Sequence, residues 1–405
     1  MTPDPTLDPG LTSVVPVPDG SDFPIQNLPF GVFRPGSEAP RIGVAIGDMV
    51  LDLAAVQAAG FLGDLPSGAF AQQNLNGFMS LGRDSWRHTR EVVSALLSEG
   101  DPGEFLSPQS SVEMVLPVTI GDYVDFYSSL HHATNVGRLF RSDQPALPDN
   151  WRHLPIGYHG RSATVVVSGT PVRRPLGQLA AGVYGPTAKL DFELEVGFVA
   201  GTGNAAGEPI PVAEAEAHIF GVCLVNDWSA RDIQAWEYQP LGPFLGKSFA
   251  TTISPWIVTL DALAPFRVPS PVQDPPPLPH LRAPEGAALD LDLRVSLGDT
   301  VLARPRFGSI YWTMAQQLAH ATSNGAVVRC GDLFASGTVS DETESGSLLE
   351  LSANGARPVA LDGGSKRTFL EDGDRVVMRG RCERAGAVGI GLGECTGVVL
   401  QAKEM

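Results

Sequence analysis

Several features that mark common functions are scarce in this sequence. Only 4 cysteines occur in 405 residues, at Cys223, Cys330, Cys382 and Cys395. No two form a C-x-x-C pair, which argues against a zinc ribbon or a disulfide framework and fits reduced thiols in a cytoplasmic protein. Basic charge is short as well: 28 Lys and Arg face 45 Asp and Glu, for a net charge of −17. Such a balance, with no basic cluster, disfavours nucleic acid and anionic membranes as partners and favours cations. No apolar run reaches bilayer-spanning length. The opening residues, MTPDPTLDPG, are acidic and proline-rich, whereas an export signal is basic and then apolar, so a soluble, unexported protein is expected. Neither GxGxxG behind a strand nor a GxxxxGKS/T loop is present, which leaves a nucleotide cofactor and a Rossmann fold unsupported.

Glycine (45) and proline (34) are plentiful and cut the chain into short pieces. At this length one large domain plus a smaller one is expected. Residues 1–20 read as a disordered tail, because Pro and Asp dominate and nothing is periodic. Between Pro29 and Leu53 the patches FGVF, RIGVAI and MVLDL, with turns at Pro35-Gly36 and Gly47-Asp48, predict a small β-meander or barrel. Asp84–Ser98 predicts a helix with Trp86, Val92, Val93, Leu96 and Leu97 on its apolar side and Asp84 or Ser85 as cap. Asp101–Pro108 reads as a linker and the boundary falls near 110–118. Beyond it TVVVSG, FELEVGFVAG, HIFGVCLVN, SPWIVTL and LDLRVSLG predict a mainly β fold with few helices, of sandwich, roll or barrel type. Ala264–Ala288, with its eight prolines, reads as an exposed excursion.

Four segments concentrate chemistry. Phe220–Trp256 begins as a buried strand ending at Asp227, a candidate cation ligand. The spacing then predicts a helix from Trp228 to Tyr238 that puts Asp227, Arg231 and Gln234 on one face. The Gly/Pro loop LGPFLGKSF brings Lys247 inward. In DFELEVGFVA, Glu193 and Glu195 share one face of a strand, their Cα atoms roughly 6–7 Å apart. Such carboxylates repel unless a hard cation lies between them, and Asp125 and Asp227 can complete its oxygen shell. GDYVDFYSSLHHATNVGRLFR crowds Asp125, Tyr127, His131, His132 and Arg141 together. The paired histidines beside acids make a general-base candidate, and GYHGR adds Tyr158 and Arg161 in a loop suited to substrate. Lastly, in SGTVSDETESGSLLEL, Thr338 lies in a loop and Glu350 ends a short apolar strand, where burial demands a partner such as His132.

DYVDFYSSLHHATNVG, GYHGR, SGTPVRRP, DFELE, NDWSARDIQAWEYQPLGPFLGKSF and TTISPW together closely resemble the fumarylacetoacetate hydrolase family, from about Phe23 to the C-terminus. The resemblance implies an SH3-like N-terminal β-barrel (21–115), a mixed β-sandwich-roll catalytic domain (116–405) that forms a homodimer, and bound Ca²⁺ or Mg²⁺. By motif position it gives the cation to Asp125, Glu193, Glu195 and Asp227, and a second small-cation position to Lys247 and Thr251. It makes His132 the base for water, with Glu350 orienting it, and Arg231, Gln234 and Lys247 the oxyanion stabilisers. Tyr127, Arg141, Tyr158, Tyr238 and Thr338 hold the substrate, a 1,3-diketo acid. The implied reaction cleaves 4-fumarylacetoacetate to fumarate and acetoacetate, the last step of tyrosine and phenylalanine degradation. An acylpyruvate-type hydrolase or a decarboxylase with the same carboxylates is the alternative. One departure is Ala250, where the family pattern has glycine: if φ > 0 is required there, the second cation position is lost.

Overall fold

The computed structural model describes residues 4–140 and 145–404. The N-terminal unit is a five-stranded antiparallel sheet in the order Leu106–Pro108, Met49–Asp52, Arg41–Ile46, Phe30–Pro35, Val112–Val115. Leu106–Pro108 pairs with Met49–Leu51, so the end of the expected linker is a strand. The helix runs from Arg83 to Glu99 and buries Trp86, Val93, Leu96 and Leu97, but Gly82 occupies its N-cap and neither Asp84 nor Ser85 caps it. The stretch read as a disordered tail is held in place from Asp4 onward. Thr6 and Val15 are buried, Arg90 Nε donates to Thr6 Oγ1 at 2.8 Å, and Gln26 Nε2 donates to the carbonyls of Asp8 and Leu11. These tethers come from outside the segment, so its own composition carries no sign of them.

Beyond the boundary, an eight-stranded sheet takes the order Gly157–His159, Tyr123–Phe126, Leu333–Ala335, Leu194–Ala200, Ile219–Asp227, Thr251–Ile253, Val165–Val167, with Val258–Thr259 also paired to Ile219–Asp227. Side chains alternate across it with period 2. Val196, Phe198, Val222 and Leu224 enter the main core with Leu293, Val295, Met378 and Cys395 of a second, five-stranded sheet. That packing is the sandwich. Val199, Cys223, Val225 and Leu333, on the opposite face, join Phe30, Phe78, Trp86 and Leu97 of the N-terminal unit in a second core. Each large apolar side chain so buried contributes about 1.5–3 kcal/mol. The rows on this second face continue into acids: Tyr123 to Asp125, Val199 back to Glu195, and Cys223 and Val225 on to Asp227.

Two expected elements differ. The helix begins only at Arg231 and ends at Glu237, so Asp227 belongs to the strand and meets the helix residues through the turn, not through helical spacing. Glu350 lies in a short helix, Leu348–Leu351, capped by the Ser347 hydroxyl accepting from Glu350 N, and not on a strand. An apolar run of four residues is too short for its period to tell the two apart. The proline-rich excursion is partly anchored: Phe266, Leu281, Ala287 and Ala288 are buried, and Gln273 Nε2 donates to Tyr311 O at 2.8 Å.

Candidate active site

The three sheet acids converge. One carboxylate oxygen each from Asp125, Glu195 and Asp227 lies within 4.8 Å of the others, and all three residues are at most 3% exposed. Asp125 Oδ2 accepts from Tyr158 Oη at 2.8 Å and from Arg161 Nη2 at 2.6 Å. The same Arg161 nitrogen reaches Asp227 Oδ2 at 2.9 Å, and Thr251 Oγ1 donates to Asp227 Oδ1 at 3.2 Å. Glu195 Oε2 accepts from Gly337 N at 3.2 Å. Asp125 Oδ1 and Glu195 Oε1 are buried without a hydrogen-bond partner among the described residues, an arrangement that costs free energy unless a cation is supplied. Burial and the neighbouring acids push the Glu195 carboxyl well above its ordinary range. Burial likewise pushes Asp125 up to about 6, against the pull of Arg161. The donor set, all oxygen and short of positive charge, suits a hard divalent ion.

Glu193 lies beside Asp227, the two carboxylates bridged by Lys247 Nζ. Its carboxylate takes Lys247 Nζ on one oxygen and Arg231 Nη2, at 2.7 Å, on the other. Burial alone would raise the Glu193 pKa, yet Lys247 and Arg231 outweigh it and hold the group below the usual range. Lys247 also donates to Asp227. Burial opposes its charge, but Asp227 and Glu193 keep its pKa above normal, so its side chain is an ammonium that donates. Thr251 keeps lone pairs beyond its bond to Asp227. Ala250 is not among the residues of positive φ, so the conformation that only glycine favours is not required there.

His132 lies on the helix Leu130–Phe140 and its Nδ1 is 2.7 Å from Glu350 Oε2. Four further contacts fix that carboxylate: Asn135 Nδ2 at 2.9 Å, Ser347 Oγ at 2.9 Å, and Ser340 Oγ at 3.1 and 3.0 Å. Against its burial, His132 and these donors hold Glu350 below the ordinary glutamate value, so it is ionised and accepts from Nδ1–H. The other ring nitrogen is left as the basic one. A cavity of about 370 Å³ is lined by His132, Asp125, Glu193, Glu195, Arg231, Gln234, Lys247, Tyr127, Tyr158, Tyr238 and Thr338. His131, half-buried, does not line it. Arg231 Nη1 donates to Gln234 Oε1 at 3.2 Å. Thr338 Oγ1 is buried and has no partner among the described residues, a hydroxyl suited to a ligand. Arg141 lies outside the described residues.

The family signature described as "Fumarylacetoacetate (FAA) hydrolase C-terminal" matches residues 123–400. The chain belongs to the fumarylacetoacetate hydrolase family. A second signature, "Fumarylacetoacetase N-terminal", matches residues 26–117. Curated relatives named fumarylacetoacetase are 53% identical in Bos taurus and 52% in Homo sapiens, each alignment covering 96% of this chain and 99% of the relative. One from Arabidopsis thaliana is 49% identical over 96% of this chain and 98% of its own. Among solved structures, a fumarylacetoacetate hydrolase from Exiguobacterium antarcticum superposes with a TM-score of 0.53 at 16% identity, covering 93% of this chain and all of the other (100%). A maleylpyruvate hydrolase from Sphingobium gives 0.51 at 18% over the same shares, 93% and 100%. At that identity these two speak for the fold alone.

Several residues of this fumarylacetoacetate hydrolase family site carry little signal in the sequence. Arg161, expected in a substrate loop, bridges two of the acids from a left-handed backbone (φ 60°), its guanidinium 4.6 Å from the Tyr123 ring centroid and 4.9 Å from that of Tyr158. An αL arginine behind a glycine is a weak signal of such a role. Asp191, Asn135, Ser340 and Ser347 gave none, since their partners lie far away in sequence or on an element of unexpected type.

Proposed function

We propose that this protein hydrolyses the carbon–carbon bond of 4-fumarylacetoacetate, giving fumarate and acetoacetate, and so closes tyrosine and phenylalanine degradation. The observation that carries this reading is the buried His132–Glu350 pair, 2.7 Å apart, whose histidine lines the same cavity as Asp125, Glu193, Glu195, Arg231 and Lys247. The relatives named above, alike over nearly the full chain, support the substrate.

In this reading His132 takes a proton from water at the nitrogen that Glu350 does not hold, and Glu350 stabilises the imidazolium. The hydroxide formed adds to a diketone carbonyl. Arg231 and Lys247 donate to the oxyanion that develops, with Gln234 beside them. Glu193 keeps both cations charged and aimed. Collapse of the adduct breaks the C–C bond, its electron pair passes to the departing carbon, and the proton held by His132 is returned to it. Asp125, Glu195 and Asp227, with Glu193 beside them, would hold Ca²⁺ or Mg²⁺, which when bound would polarise the diketone and offer a sink for that electron pair. Tyr127, Tyr158, Tyr238, Thr338 and Arg141 would seat the substrate.

A cytoplasmic homodimer is the assembly we propose. No helix among the described residues is long and apolar enough to cross a membrane, and all four cysteines are free. Trp236, Tyr238, Leu241, Phe244 and Leu245, each about half-exposed or more, form an apolar stretch beside the cavity that a second copy would cover. The net charge of −17 supports neither nucleic acid nor anionic membrane as partner. The test is to mix purified protein with 4-fumarylacetoacetate and, separately, an acylpyruvate, and to follow loss of the diketone absorbance. Turnover of the first, with the second at least about tenfold slower, is expected; a preference for the acylpyruvate would overturn the assignment.

A further inference from the structure

Asp191 is fully buried at 0% exposure, and the mechanism above gives it no task. It sits where two halves of the site cross. Leu190 and Asp191 pair with Ala230 and Ser229, just ahead of the Arg231 helix, while Leu194 N donates to Gly346 O, just ahead of the Glu350 helix, at 2.9 Å. Asp191 Oδ2 accepts from Arg231 Nε at 2.9 Å and lies 2.8 Å from its Nη2. The same carboxylate takes the main-chain N–H of Leu348 on Oδ1 at 2.8 Å and that of Leu349 on Oδ2 at 3.0 Å. A further main-chain donor, Phe192 N, reaches Oδ1 at 2.8 Å. One side chain therefore grips the guanidinium aimed at the substrate and the backbone immediately before Glu350.

We infer that Asp191 is a positioning residue that fixes Arg231 and Glu350 relative to each other, so that the base and the oxyanion cation keep one separation. The inference rests on the His132–Glu350 reading. Only an acceptor on both oxygens serves, because every group facing them is a donor. An amide at this place must turn its NH₂ either toward Arg231 and Leu349 or toward Leu348 and Phe192, and either orientation opposes donor to donor. Arg231 keeps a second carboxylate, Glu193, at 2.7 Å. Loss of Asp191 thus leaves Arg231 charged but free to swing toward Glu193, away from the setting that Glu350 shares.

The experiment is a pair of double-mutant cycles on the full-length, divalent-loaded enzyme. Asp191→Asn should lower kcat by roughly 10–100-fold, the scale of a 1 Å misplacement, with divalent-ion affinity by calorimetry within about twofold of wild type. In the Glu350→Gln and Arg231→Met backgrounds the same change should cost less than about twofold, since its targets are already disabled. Full losses that multiply in both doubles, or an Asp191→Asn enzyme with wild-type kcat, overturn the inference. A Glu350→Gln enzyme with wild-type kcat removes the dyad reading, and this inference with it. Should Asp191→Asn not fold, Arg231→Met supplies the reciprocal measurement. Its Leu348 and Leu349 amides should exchange hydrogen at least about tenfold faster than in wild type, and unchanged exchange there overturns the inference as well.

Discussion

His132 and His131 are neighbours on one helix, yet only His132 is buried, bonded to Glu350 and open to the cavity. Residues adjacent on a helix point about 100° apart, so one imidazole at most can face the water. His132→Ala should remove nearly all turnover while divalent binding, read by calorimetry, persists, and His131→Ala should cost less than about tenfold. Lys247, kept charged by Asp227 and Glu193, acts as a donor and not a base. Lys247→Met should therefore lower kcat by roughly 10²–10³-fold; steady-state kinetics showing only a raised KM would make it a substrate anchor instead. Glu350 carries a pH signature. Its folded pKa is depressed, so it contributes stability that is present above the unfolded glutamate value of about 4.3 and is lost as pH falls through the folded value. Denaturant titrations should show the gap between wild type and Glu350→Gln constant near neutrality and closing below about pH 4. The sequence made most of these residues legible because each combines an unusual type with a local motif. Asp191 and Arg161 were hidden, as their partners lie up to 158 and 66 positions away.

Short elements carry the site, and these are the least legible in the sequence. The strand Ile219–Asp227 was legible from its apolar run Phe220–Val225, closed by Asn226-Asp227, and all nine of its residues are buried. Leu348–Leu351 was not, because the decisive feature is the Ser347 cap and not any periodicity. The loop joining Ala335 to that helix depends on Gly337, which has φ 76°, donates its N–H to Glu195 Oε2, and leaves no room for a Cβ against the Phe126 carbonyl. Gly337→Ala should cost about 1–3 kcal/mol of stability by denaturant titration, and it should lower kcat through Thr338 and Glu195, which flank the displaced peptide. A stability change smaller than about 0.5 kcal/mol would show that the loop relaxes freely.

For the whole molecule, a cation held by the three converging acids would make folding and its binding one equilibrium. Exhaustive chelation should lower the melting temperature and abolish activity, with Ca²⁺ or Mg²⁺ restoring both; elemental analysis of active, metal-free protein is the result that removes the cation site. The division into a small β unit and a larger β-rich one was legible from the change in pattern near residue 115. What the sequence concealed is how the two share a core, because alternation shows that a strand has two faces and not what covers each. Phe30, Phe78 and Trp86 of the first unit lie against Phe220, Cys223 and Val225 of the second, with Trp86 and Phe220 in edge contact at 5.1 Å. A gene trimmed to residues 123–400 would thus encode a sheet with a bare apolar back, a sticky surface on the reverse of the very strands that present Glu195 and Asp227. Such a fragment invites self-association before any chemistry, so the N-terminal unit travels with the enzyme as the permanent cover of its rear wall.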